Sequence, residues 1–279
     1  MDCRNCVPIA KMKNNFFREF AVSLAFFVLL TAPFLVWDID IALQQLLYSD
    51  GEWVFRKHAL WVFLYDYGPA PAMIVSVIAL LLWFISTFTG FQKQNRRVFA
   101  FIALLMVLGP GLLVNAVFKE YWGRPRPREI VEFGGQRAFV PPLVKGEFVS
   151  SRKYEKMLES SQGAVEWDIL RNVYRIKGKY NSFPNGHASV GFFMMFPYFI
   201  YRHRKKVLAM VWLAGGTCYG VLMGVGRMAQ GGHFASDFLW SCAMVYLVGI
   251  VLYYALRMDE QDFNFKEFLA GFLPKKASS

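Results

Sequence analysis

The chain is poor in cysteine and histidine, with four of each in 279 residues. Cys218 and Cys242 fall inside apolar runs, and Cys3 and Cys6 form an isolated "CRNC" near the N-terminus. This excludes a disulfide framework, and a single C-x-x-C lacks the second ligand pair that a structural zinc requires. The N-terminal pair therefore reads as part of a plain or lipidated tail. No repeat with a period of about 20–50 residues occurs, and the short polar end "PKKASS" is the only low-complexity tract, which excludes solenoids and arrays. No small-residue cleavage site follows "LTAPFLVWDID", so the first apolar run is expected to be retained rather than removed as a secretory signal.

What the sequence lacks most is charge over long distances. Uncharged stretches occupy 21–37, 68–88, 98–118, 188–201 with a lead-in from 180, 207–226 and 238–256. Each is of the order needed to cross about 30 Å of hydrocarbon. With 56% hydrophobic and 18% aromatic residues, the helices would be apolar all round, and soluble bundles avoid that. The expected fold is all-α, a six-transmembrane-helix bundle with a long insert, 128–180, between the third and fourth helices. The expected organisation is a tail at 1–19, the membrane domain at 20–257 and a second tail at 258–279.

Carboxylates are the minority charge, 20 against 31 lysines and arginines. The cations are distributed as topology signals. The N-terminal tail, the 89–97 loop, the 202–206 loop and the C-terminal stretch from Arg257 onward carry four, three, four and four, whereas 38–67 and 227–237 carry two and one. The first group is expected to be cytoplasmic, with both termini inside an inner membrane and 119–187 and 227–237 outside. No basic stripe accompanies a nucleic-acid fold, so nucleic acid is not expected as a partner. The stretch 39–48 places Ala42, Leu43, Leu46 and Leu47 on one helical face, followed by Trp53, Trp61, Tyr65 and Tyr67, the pattern of an interfacial helix with an aromatic belt. Within the insert, a turn is expected at Pro141-Pro142 and a short helix near 152–160.

Three polar clusters interrupt the apolar runs at outer span ends: "KEYWGRPRPRE" after the third, "SFPNGHAS" before the fourth and "GRMAQGGHFASD" before the sixth. Lys119, Arg126 and Arg227 supply fixed charge and forked donors suited to phosphoryl oxygens. His233 and Asp237 are four apart, so on a helix they share a face, and the carboxylate can hold one ring nitrogen protonated while the other attacks. His187 can protonate the leaving oxygen and later activate water. Gly186 and Gly232 permit close backbone approach, and helix starts near both histidines point positive dipoles at an anion. Singly, cations at span ends snorkel to head groups, and His58 and His203 read as merely tolerated. Three clusters on one face make a site. No set of three convergent ligands suggests a metal or other cofactor.

Lys119-x6-Arg126-Pro127, Pro184-Asn185-Gly186-His187 and Arg227-x5-His233-x3-Asp237 resemble the three signature motifs of the type 2 phosphatidic acid phosphatase superfamily. The resemblance implies a metal-free lipid phosphatase in which His233 is the phosphorylated nucleophile, Asp237 its support and His187 the acid. Lys119, Arg126 and Arg227 would bind phosphate, while Asn185 can still offer it a side-chain N–H donor and Gly186 permits close backbone approach. Two positions depart from the family pattern, since Asn185 and Gly226 stand where serine is usual. The run "WGRPRPREIVEFGG" most resembles bacterial members acting on lipid A, with polyprenyl diphosphate, phosphatidylglycerol phosphate and phosphatidic acid also open. The implied partner is a lipid phosphate in the outer leaflet. Phosphotransfer to a second lipid is an alternative outcome of the same chemistry. An anion or lipid transporter is the alternative of another class, although transporter charges usually lie near the midplane rather than at span ends.

Overall fold

The computed structural model describes residues 9–135, 137–145, 148–149, 175–176 and 181–272. The expected short helix near 152–160, Cys3 and Cys6 lie outside the described residues. Among the described residues helix dominates, and five helical stretches are long and apolar enough to cross a membrane: Met12–Val36, Ala59–Thr89, Lys93–Glu129, Lys206–Ala229 and Ala235–Ala255. Their outward faces carry large apolar side chains such as Leu29, Phe63, Phe88, Val207 and Val211, a surface that suits lipid rather than water.

Helix α1 (Ile9–Val36) runs to the exposed Trp37 and turns into the short α2 (Ile39–Gln45). A two-residue hairpin, β1 (Tyr48–Ser49) with β2 (Glu52–Trp53), leads to α3 (Ala59–Tyr67) and α4 (Ala70–Thr89). The next span is α5 (Arg96–Met106), a wide π-type helix α6 (Val107–Phe118) and the single turn α7 (Lys119–Trp122). Pro110 offers no N–H to the ladder, and its carbonyl accepts from the Asn115 side chain at 2.7 Å instead. The two-residue strands β3 (Phe148–Val149) and β4 (Arg175–Ile176) pair in parallel. Helices α8 (Gly186–Phe193), α9 (Phe196–Tyr201), α10 (Lys206–Ala229) and α11 (Ala235–Ala255) follow, then the short α12 (Phe265–Ala270).

The expected fourth span is broken. Helices α8 and α9 are separated at Met194-Met195, and Pro197 lacks the N–H that a continuous helix would use, so neither piece alone has spanning length. The core sits where α11 packs on α8 and α5, with Phe101, Leu105, Phe192, Phe193, Val245 and Ile250 almost fully enclosed. At the opposite end from the three clusters, Arg202 forms a two-pronged ion pair with Glu19 of α1, and its guanidinium lies 3.7 Å from the Tyr253 ring centre.

Two local expectations change. In α2 the apolar Ala42 and Leu46 face outward, while Asp40 and Gln44 are completely buried, so its polar face is packed rather than solvated. Trp53 is not part of an exposed belt: it packs with Tyr48, Phe133 and Phe234. The Pro141-Pro142 turn is present, with the Val144 N–H reaching the Pro141 carbonyl and Leu143 at φ 63°.

Candidate active site

The first cluster begins where α7 ends. Gly123 adopts φ 70°, which stops the helix and turns Arg124-Pro125-Arg126-Pro127 back over the bundle end. The Arg126 backbone N–H is held by Glu129 at 2.8 Å, and its side-chain Nε is buried with no hydrogen-bond partner among the described residues. Arg124 takes a different course. It is fully buried and donates to the Val140 carbonyl, the Ser236 hydroxyl, Asp237 Oδ1 and Asp40 Oδ2 at 2.6–2.8 Å.

The second cluster opens α8. Asn185 is its N-cap, with Oδ1 accepting from the Ala188 N–H at 3.0 Å. That assignment turns Nδ2 the other way, where it is buried and has no partner among the described residues. A Cβ on Gly186 would lie 2.5 Å from Asn115 Oδ1 and 3.2 Å from Lys119 Nζ, so only glycine lets the helix start close on the Lys119 ammonium. His187 stacks on Tyr65 at 4.7 Å with 16° between the ring planes.

The third cluster spans the end of α10 and the start of α11. Arg227 donates to the Gln230 side chain, and its guanidinium carbon lies 4.6 Å from the centre of the same Tyr65 ring. Gly232 allows the Arg227 guanidinium to lie across the turn, because a Cβ there would be 2.9 Å from Nη2. Arg227 Nε, like Arg126 Nε and Asn185 Nδ2, is a buried donor with no partner among the described residues.

His233 is almost fully enclosed, and Asp237 wholly so. Its Nδ1 lies 2.5 Å from the Ser182 carbonyl oxygen and 3.5 Å from Asp237 Oδ2. A carbonyl only accepts, so Nδ1 carries the proton and Nε2 keeps its lone pair. The expected carboxylate contact exists but is the longer of the two. Asp237 Oδ2 instead accepts closely from the Ser182 hydroxyl at 2.5 Å and from the Phe234 N–H at 2.8 Å.

Both histidines lie outside the five apolar spans. Burial pushes His233 down to about 3, and Arg227 and Lys119 add to the shift while Asp237 opposes it. Burial, then Arg227 and Lys119, pushes His187 down to about 4. Both rings are therefore neutral at neutral pH, and the same two cations act on both. All eight expected site residues thus converge on one end of the bundle. His58 and His203 are exposed and stand apart. Arg124 belongs to the first polar cluster without an expected role in the site, and Ser182, Asp40, Gln44 and Asn115 carry no such expectation. The first arginine of "GRPRP", two residues before Arg126, was the available signal for Arg124. Tyr65 appeared only as a belt residue, and nothing in its spacing marked it as a wall of the site.

Residues 98–260, which contain all three clusters, match the PAP2 superfamily. The chain belongs to that superfamily. It is 33% identical over 205 residues to the lipid A 4'-phosphatase of Francisella tularensis subsp. novicida (strain U112), covering 72% of this chain and 77% of the relative. Two shorter matches are to lipid A 4'-phosphatases of Rhizobium etli, 54% identical over 35 residues, and Rhizobium leguminosarum, 45% over 56 residues. These cover 12% and 20% of this chain and 14% and 22% of the respective relatives. No solved structure matches the chain significantly.

Proposed function

We propose that this superfamily member is an integral membrane phosphatase that hydrolyses a lipid phosphate monoester, with phosphorylated lipid A as the favoured class, through a phosphohistidine on His233. The carrying observation is the hydrogen bond from His233 Nδ1 to the Ser182 carbonyl, which leaves Nε2 as a neutral nucleophile. The Francisella relative's name supports the choice of lipid. Residues 188–201, carried by α8 and α9, form the remaining crossing, which makes six, with His187 at its outer end, both termini cytoplasmic and the site at the outer face.

In the first step Nε2 attacks phosphorus as the bond to the lipid oxygen breaks. That oxygen takes the electron pair and receives a proton from His187. Lys119, Arg126, Arg227, Asn185 Nδ2 and the helix start at Gly186 hold the non-bridging oxygens. The three unpartnered buried donors favour this, because each would otherwise remain unsatisfied. His187 is neutral beside two cations, so its proton arrives with the substrate: a phosphate offsets the charge of Arg227 and Lys119 and makes the imidazolium favourable. In the second step His187, neutral again, takes a proton from water, which attacks phosphorus and frees the His233 nitrogen. The cationic donor set performs the charge neutralisation that a divalent ion supplies in other phosphatases, and we propose a metal-free reaction.

Rapid acid-free quenching of purified protein with a radiolabelled lipid phosphate tests the scheme. Label should be trapped in an acid-labile adduct, absent from His233→Ala and accumulating in His187→Ala with an aryl phosphate, where leaving-group protonation matters little. Turnover by His233→Ala would overturn the assignment.

A further inference from the structure

Helix α2 lies about 80 residues before the first of the three clusters, yet its inward side chains reach the last. Asp40 and Gln44 stand one turn apart, and both are completely buried. Asp40 accepts from the Ser236 backbone N–H at 2.9 Å, from the Ser236 hydroxyl and from Arg124 Nη2 at 2.7 Å. Gln44 Nε2 donates to the His233 backbone carbonyl at 2.6 Å. One helix thus grips both ends of the His233–Asp237 segment, directly at His233 and through Arg124 at Asp237.

The arrangement matters because of how Arg124 shares its fork. Guanidinium groups favour two parallel bonds to one carboxylate. Here Nη1 goes to Asp237 Oδ1 and Nη2 to Asp40, so Asp237 keeps Oδ2 for the Ser182 hydroxyl, the Phe234 N–H and the His233 ring. Without Asp40, Arg124 would be free to close on both Asp237 oxygens and draw Oδ2 away from His233.

We propose that Asp40 and Gln44 are positioning residues for phosphoryl transfer: Asp40 keeps Arg124 from capturing both oxygens of Asp237, and Gln44 fixes the backbone from which the nucleophilic ring projects. This rests on His233 being the nucleophile. Neither residue touches substrate, so binding should be spared while the rate of attack falls, since small displacements of a nucleophile are costly.

The test is single-turnover phosphoenzyme formation with the full-length, detergent-solubilised protein and an aryl phosphate, using inorganic phosphate as the binding probe. Asp40→Asn keeps the shape and removes the charge. Its rate constant for phosphoenzyme formation should drop about tenfold to a hundredfold. The final stoichiometry and the inhibition constant for inorganic phosphate should stay within about twofold of the parent. Asp40→Glu, which restores the charge, should recover part of the rate, and Gln44→Met should slow attack severalfold with the same stoichiometry. A purely structural role would lower the stoichiometry, by reducing the number of competent sites, and leave the rate constant alone. That result, or a parental rate in Asp40→Asn, would overturn the proposal. If the parent forms no phosphoenzyme and His233→Ala still turns over, the nucleophile assignment itself has failed.

Discussion

Tyr65 gives the sharpest test of the site, because one ring serves two members of it. Its face stacks on His187 at 4.7 Å and lies 4.6 Å from the Arg227 guanidinium carbon. An aromatic stack contributes about 0.5–1.5 kcal/mol and a partly exposed cation–π contact about 0.5–1 kcal/mol. Tyr65 is 43% exposed, which argues for the lower half of each range. Tyr65→Ala should therefore lose about 1–2 kcal/mol of transition-state stabilisation, a fall of roughly 5–30-fold in kcat/KM. Tyr65→Phe retains both contacts and should stay near the parent. The change also has a titration signature. Burial is the largest cause of the depressed His187 value of about 4, so uncovering the ring should raise it. The rise should stop short of 6.5, because Arg227 and Lys119 still oppose protonation. NMR titration of histidine-labelled protein reads the shift without depending on turnover. An equal loss in Tyr65→Phe would transfer the role to the hydroxyl, and an unchanged His187 titration in Tyr65→Ala would refute the reasoning.

Two further outcomes follow from the same wall and the same cations. Restoring serine at Gly226 should not improve the enzyme: a Cβ there would lie 3.1 Å from Trp61 Cε3, so Gly226→Ser should cost about 1 kcal/mol of stability, recovered when Trp61→Leu is added. Thermal unfolding of the two singles and the double checks this, and additive losses would count against it. Turnover should also persist through exhaustive EDTA treatment, and loss of activity with rescue by magnesium would overturn the metal-free scheme.

The membrane character and the grouping of the eight candidate residues at one end were legible because both depend on residue type and on spacing within short motifs. Uncharged runs signal hydrocarbon contact wherever they occur, and His233-x3-Asp237 carries its own helical geometry. Three features were not legible. The interruption between α8 and α9 turns on the Met194-Met195 break ahead of Pro197, which a count of apolar residues does not register. The burial of Asp40 and Gln44 could not be read from α2, because its apolar stripe suggested a membrane-facing helix and its polar stripe looked solvated. Partners of that polar stripe lie 84 to 196 residues away. Ser182 acts partly through its backbone carbonyl, and a carbonyl leaves no trace in residue identity.

Asn185 is the second departure from the family pattern, and its two ends sit in different surroundings. Oδ1 caps α8 through the Ala188 N–H, while Nδ2 is buried without a partner among the described residues, next to the helix start at Gly186. Serine, asparagine and aspartate cap helices about equally well, so Asn185→Ser and Asn185→Asp should both preserve α8. Aspartate should even favour it slightly, since its charge suits the helix N-terminus. Phosphate binding divides the two variants. A serine hydroxyl can accept from Ala188 and still donate its own proton, so Asn185→Ser should keep kcat/KM within about tenfold of the parent. Aspartate has no donor and places a negative charge in the proposed phosphate site. A lost hydrogen bond to a charged group is worth about 1.5–3 kcal/mol, so Asn185→Asp should reduce kcat/KM by at least about tenfold to a hundredfold, with repulsion adding to the loss. Stability and activity would then move in opposite directions in a single variant, which neither a misfolded helix nor a purely capping residue would produce. Parental kcat/KM in Asn185→Asp would show that Nδ2 does not face the phosphate, and the anion site would then rest on Lys119, Arg126, Arg227 and the Gly186 backbone alone.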